Sequence, residues 1–149
     1  NLRHTTNELL VGLFYYILYI EERNLKKRGI ELSMNDVHIL ENIKKASDNS
    51  MSHIAARLMV TQGTLTTNVT KLINKGYVER YKDDRDKRIN RLRITEKSVP
   101  ILKIHEDFHA EMVDKALDKL DLEENELLNE TLENILKYFR EEYREQAGI

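Results

Sequence analysis

Apolar residues recur along most of this chain at intervals of three and four, and one short stretch interrupts that rhythm. Leu9, Leu10, Leu13, Phe14, Ile17 and Ile20 follow it within residues 3–27, which predicts a long first helix closed by Gly29. Ser33 is placed to cap a second helix to about Lys45, with Val37, Leu40 and Ile43 inward and the polar run 47–50 ending it. Ser50 then opens a short helix carrying Ile54, Ala55 and Leu58; Met59 and Val60 turn the chain, and Thr61 caps a further helix to Lys75, stopped by Gly76. This is a helix, a tight turn and a helix. Residues 77–81 and 89–94 alternate or are rich in β-formers, and the charged run 82–88 between them predicts a hairpin. Thr95, Ser98 and Pro100 mark the start of another helix with Ile101, Ile104, Phe108, Met112 and Ala116 inward. Asp121 with Glu124 reads as the capping box of a last helix carrying Leu127, Leu128, Leu132, Ile135, Leu136 and Phe139.

The order α-α-α-α-β-β-α-α describes a mainly helical chain with a small hairpin wing. The expected organisation is one domain over residues 1–149, with a winged helix-turn-helix at 33–95 and helical parts at 1–30 and 96–149. Composition agrees: 34% of the 149 residues are charged, and there are five glycines and one proline, as long solvated helices require. No cysteine is present, which excludes disulfides, thiolate metal sites and cysteine nucleophiles, and a reduced cytoplasm suits such a chain. The most apolar run, residues 9–20, is shorter than the roughly twenty residues that span a bilayer, so no membrane partner is expected.

Charge changes the picture more than composition does. The net charge is −2, from 24 Lys and Arg against 26 Asp and Glu. Residues 71–95 hold nine bases and four acids, a local +5, which leaves fifteen against twenty-two, or −7, for the remainder. A basic segment on an acidic chain is an electrostatic footprint for a polyanion.

That segment also has the right surface. On a helical wheel Leu65, Val69 and Leu72 share one face, while Gly63, Thr66, Thr67, Thr70, Lys71 and Asn74 point away from it. Short hydroxyl side chains, a glycine that permits close backbone approach and a terminal cation suit a helix lying in the major groove of DNA. Gln62 in the first turn can pair bidentately with an adenine. After the cap Thr61, the helix carries Thr64, Thr66, Thr67 and Thr70, poor helix formers that stability alone would not select. At the hairpin tip Arg85, Lys87 and Arg88 can follow the backbone and place an arginine in the minor groove, with Asp86 holding Arg88 extended.

Residues 61–66 (Thr-Gln-Gly-Thr-Leu-Thr), the turn Lys75-Gly76-Tyr77-Val78-Glu79-Arg80, Asp86-Lys87-Arg88 and Leu92-Arg93-Ile94-Thr95-Glu96-Lys97 together resemble the MarR family of winged-helix regulators. The resemblance runs in order over nearly the whole chain, and departs where the family often has a proline and this chain has Asp84. It implies double-stranded DNA as partner, Thr61 to Lys71 as recognition helix, Asp86 and Arg88 as the wing-tip pair, and a homodimer joined through its terminal helices. A dimer is also expected physically, because one recognition helix contacts too few base pairs for a genomic address.

Within the family, Ile20-Glu21-Glu22 with Asn24-Leu25, Leu58-Met59-Val60-Thr61, Gly63-Thr64 with Thr66-Thr67, and Phe108-His109 with Met112-Val113 resemble the branch that represses bacterial fatty-acid synthesis. That likeness implies a long acyl chain on acyl carrier protein as effector, in a tunnel lined by Leu13, Phe14, Ile17, Val37, Leu40, Ile101, Ile104 and Phe108. The acidic carrier would dock on Arg23, Lys26, Lys27 and Arg28. No metal or other cofactor is expected on this reading. The alternative is zinc: His105 and His109, four apart, stack on one helix face. With His38 and with Glu21 or Glu22 they resemble the ligand set of the zinc-sensing branch. No glycine-rich phosphate loop or nucleophile elbow supports an enzyme, and the remaining rival is a helical protein-interaction module.

Overall fold

Three hydroxyl side chains start the helices that build the core. The computed structural model describes residues 1–118 and 125–148. After α1 (Leu2–Lys27), which Gly29 terminates at φ 73°, the Ser33 side chain accepts from Asp36 N while Asp36 accepts from Ser33 N, a full capping box for α2 (Met34–Lys45). Ser50 accepts from His53 N at the start of α3 (Met51–Arg57), and Thr61 from Thr64 N at the start of α4 (Gln62–Asn74). The turn between α3 and α4 puts Met59 at φ 59°, a left-handed conformation that costs a side-chain-bearing residue about 1 kcal/mol. Gly76, at φ 84°, releases the chain from α4 into the hairpin.

The hairpin is β1 (Val78–Lys82) and β2 (Asn90–Ile94), antiparallel with Val78 opposite Ile94 and Arg80 opposite Leu92. Val78 and Leu92 turn inward and are fully buried, so this period-two face seals the helical core. Beneath it lie Val37, Ile39 and Leu40 of α2, Ile54 of α3, and Leu65, Val69 and Leu72 of α4, each at most 1% exposed. The loop before α3 joins the sheet: Leu92 N donates to Asn49 O at 2.9 Å, and Ser50 bridges Arg91.

A 3-10 turn (Glu96–Ser98) precedes α5 (Val99–Leu117). The helical stretch starts where Thr95, Ser98 and Pro100 mark it, but the two hydroxyls bond elsewhere than to its first turn. Ser98 is buried and its hydroxyl donates to Tyr77 O at 2.6 Å, while Thr95 donates to Gly76 O at 2.6 Å. They fasten the root of α5 to the turn that leaves α4.

The chain divides into two compact units, residues 1–108 and 109–149. Leu25 of α1 and Ile101 and Leu102 of α5 are buried in the same cluster as the winged core. The second unit holds the end of α5 and α6 (Glu126–Ala147), whose first turn is capped by the Asn125 side chain accepting from Leu128 N at 2.9 Å. The expected box of Asp121 and Glu124 lies outside the described residues. No residue of α6 is buried; Leu127, Leu132, Leu136 and Phe139 are all about half exposed or more.

Candidate nucleic-acid interface

The buried stripe Leu65, Val69 and Leu72 fixes the rotation of α4, so Gln62, Gly63, Thr64, Thr66, Thr67, Thr70 and Lys71 are exposed together with the cap Thr61. The hydroxyls of Thr66, Thr67 and Thr70 donate to the carbonyls of Gln62, Gly63 and Thr66 at 2.8, 3.2 and 2.8 Å. Their protons are therefore engaged within the helix. Each oxygen keeps a lone pair for a base amino group, and each threonine keeps a methyl that can meet the methyl of a thymine. A Cβ added at Gly63 would meet nothing nearer than Thr61 Oγ1 at 3.9 Å. The fold does not require glycine there, and its bare backbone leaves room for close approach by an outside surface.

At the wing tip Asp86 grips Arg88 with both oxygens, Nε to Oδ1 at 3.0 Å and an Nη to Oδ2 at 2.9 Å, and Oδ1 also accepts Arg88 N at 3.0 Å. The Arg88 side chain is still 91% exposed. The fork holds the guanidinium outward before any ligand arrives, which lowers the ordering cost of contact. Arg85 and Lys87 are exposed beside it.

Sequence reasoning did not find what holds the tip itself. Asp83 Oδ2 accepts the backbone N–H groups of Arg85 and Asp86 at 3.0 and 2.9 Å, and Oδ1 accepts Arg91 Nε at 2.6 Å. The bond from Arg91, with those backbone donors, holds the Asp83 carboxyl at a pKa of about 2, so it is ionised at any physiological pH. Arg91 extends further, donating to Asp48 Oδ1 at 3.1 Å and Asn49 Oδ1 at 3.0 Å. An aspartate opening a charged turn is the local signal; its partner Arg91 is eight residues on, and Arg91 in turn reaches Asp48, 43 residues back.

The candidate effector residues separate. Val37, Leu40 and Ile101 are in the core, with Ile104 packed on it, whereas Leu13 and Phe14 are 46% and 59% exposed and Ile17 is half-buried. A cavity of about 10 Å³ lies between α1, α2 and α5, lined by Leu25, Met34, Ile104, His105 and Phe108 among others. Arg23, Lys26, Lys27 and Arg28 lie at the end of α1; Lys26 lines a surface cleft with Glu22, Glu31, Asp36 and Lys75.

The candidate metal ligands divide too. His105 is buried between two carboxylates, Nδ1 at 3.2 Å from Glu21 and Nε2 at 2.7 Å from Glu41, and its ring meets that of His38 edge-on at 5.9 Å. The hydrogen bond to Glu21 raises the His105 pKa above the ordinary imidazole value, against the effect of burial and with help from both acidic charges. Burial pushes the Glu41 carboxyl up, yet His105 and Lys45 bring it below its usual value. Glu22 is elsewhere, 3.5 Å from Met34 N. His109 lies one turn beyond His105 on α5.

A capped helix with a small polar outer face, beside a hairpin tipped by an outstretched arginine, defines a winged helix-turn-helix DNA-binding protein. The MarR family model matches residues 32–89. The regulator BilQ of Clostridium symbiosum is 32% identical over 114 residues, 76% of this chain and 77% of that protein. The crystal structure of Streptococcus pneumoniae FabT in complex with DNA superposes with a TM-score of 0.83 at 35% identity, covering 93% of this chain and 98% of FabT. The regulator BldR of Sulfolobus solfataricus is 31% identical with a TM-score of 0.57, over 88% and 96% of the two chains. The chain belongs to the MarR family: it is a DNA-binding transcriptional regulator and not an enzyme. Among the described residues no helix is long and apolar enough to cross a membrane.

Proposed function

We propose that the protein is a repressor that binds a palindromic operator as a homodimer, controls genes of fatty-acid synthesis, and takes long-chain acyl carrier protein as effector. The resemblance of the sequence to the branch that represses fatty-acid synthesis supports the pathway, and the likeness to FabT over almost the full length of both chains supports the DNA-binding part of the reading. The dimer is supported by the apolar positions that neither terminal helix buries, Leu9, Leu10, Phe14 and Ile20 on α1 and Leu132, Leu136 and Phe139 on α6. Recognition would rest on residues 61–71 for bases and on Arg85, Lys87 and Arg88 for the backbone and minor groove. The small cavity between α1, α2 and α5 sets a condition: an acyl chain enters only if those helices part, which couples effector binding to the pose of the DNA-binding core.

Zinc is the second reading, and the cluster at His105 favours it. Glu21 and His105 supply oxygen and nitrogen donors that suit zinc, with the His38 ring against that of His105 and His109 the next imidazole along α5. Glu41 on the far nitrogen of His105 is placed as the partner that orients a ligating imidazole. One experiment separates the two. Binding of the purified protein to its own upstream DNA is measured with long-chain acyl carrier protein, with unloaded carrier, with zinc and with chelator. The acyl reading expects only the loaded carrier to change affinity, by about tenfold or more as in ordinary allosteric coupling. A response to zinc that His105→Ala abolishes, with none to the loaded carrier, replaces it.

A further inference from the structure

Arg91 stands at the centre of a network that joins three pieces of chain distant in sequence. Through Asp83 it reaches the wing turn, because that carboxylate takes Arg91 Nε on one oxygen and the N–H groups of Arg85 and Asp86 on the other. Through Nη1 it reaches Asp48 and Asn49, the loop that leads into α3. That loop is itself fixed to both strands: the Asn49 amide donates to Tyr81 Oη and to Leu92 O, each at 2.8 Å, and Asn49 O accepts Leu92 N. Asp48 Oδ1 also accepts Ser50 N, just before the α3 cap. The Arg91 side chain is only 26% exposed, and Asp83 18%. Arg88, three residues away, is almost wholly exposed and among the described residues is held by Asp86, whose own N–H hangs from Asp83.

We infer that Arg91 is a positioning residue for DNA binding: without touching DNA, it locks the wing turn to the loop before α3 and so fixes where Arg88 stands relative to the recognition helix. This rests on the reading that Arg88 contacts DNA. The physical case is geometric. A two-stranded hairpin alone is a marginal, twisting ribbon, and α4 and the wing must meet neighbouring grooves of one rigid duplex, so an angular error at the hairpin root is magnified at its tip. The planar guanidinium bonds in fixed directions to Asp83, Asp48 and Asn49 at once, which a single ammonium on a flexible stem does not reproduce.

The test is a double-mutant cycle on operator binding, with Arg88→Ala, Arg91→Lys and the double variant, and Asp83→Asn as a second way into the network. Circular dichroism melts show that each variant is folded. Arg88→Ala should weaken binding about tenfold and reduce the slope of log K against log salt by roughly 0.9, one phosphate-equivalent cation. Arg91→Lys and Asp83→Asn should each weaken binding about three- to tenfold alone, yet less than twofold in the Arg88→Ala background, since contacting groups that act as a unit are non-additive. Because lysine keeps the charge, the salt slope is read with Arg91→Gln, which in the Arg88→Ala background should lose no further slope. Losses that multiply, or a further fall in slope of about 0.9, show that Arg91 meets DNA itself or acts only on stability, and overturn the inference. An Arg88→Ala variant that binds as wild type does removes the wing contact and the positioning role together, whereas additivity alongside a weakened Arg88→Ala variant removes only the second.

Discussion

Replacing Leu136 by alanine tests how the protein uses α6. Leu136 is 53% exposed on a helix that buries none of its residues within the chain. Fully burying a leucine contributes about 1.5–3 kcal/mol, so covering the exposed half yields about 1 kcal/mol per protomer. Twofold symmetry uses the position twice, giving about 2 kcal/mol, and at 1.4 kcal/mol per decade the dimer of Leu136→Ala should dissociate about 30-fold more readily. The control is Lys137→Ala on the next position, whose ion pair with Glu141 is long at 4.0 Å and well exposed, so the change should be negligible. Sedimentation velocity over a dilution series reads the constants, with helix content followed by circular dichroism. A dimer constant for Leu136→Ala within twofold of wild type, or a monomeric wild-type protein, would refute the reasoning that a partner copy covers this face.

Three other outcomes follow from the same coordinates. Gly63→Ala should separate stability from function: the space around Gly63 accepts a methyl and helix propensity gains up to about 1 kcal/mol, so the melting temperature should hold or rise while operator binding falls. Leu92→Ala empties a position with no exposure at all and should cost about 2–5 kcal/mol, visible as a lower denaturant midpoint. His105 has a raised folded pKa, so the stability it contributes is complete below the unfolded value of 6.5 and is lost as pH rises through the folded one. The melting temperature should therefore fall from pH 6 toward pH 9, and His105→Gln should flatten that dependence.

What the sequence made legible was whatever is decided within a few residues. Ser33, Ser50 and Thr61 cap their helices because a cap needs only a side-chain oxygen and an N–H two or three positions on. The inward stripe of α4 and the Asp86–Arg88 fork are equally local. Ser98 and Thr95 look like helix starters by the same rules but were claimed by carbonyls of Tyr77 and Gly76, about twenty residues back. The Arg91 network was invisible because it closes across 43 positions, and nothing in the order of residues distinguishes Arg91 from the other bases of the wing. His105 stands out by its spacing from His109, and the resemblance already offers Glu21 as its partner, while Glu41, from another helix, has no signal in the order of residues.

The central claim is that α4 and the Arg88 wing form a DNA-reading surface used twice across a dimer axis. Hydroxyl-radical footprinting of the purified protein on its own upstream DNA tests it most directly. The account predicts two protected half-sites with centres about one helical turn, roughly 10 bp, apart or a multiple of it. Protection of the flanking minor groove should be lost selectively in Arg88→Ala. No protection at any position, or a footprint that Arg88→Ala leaves unchanged, would contradict it.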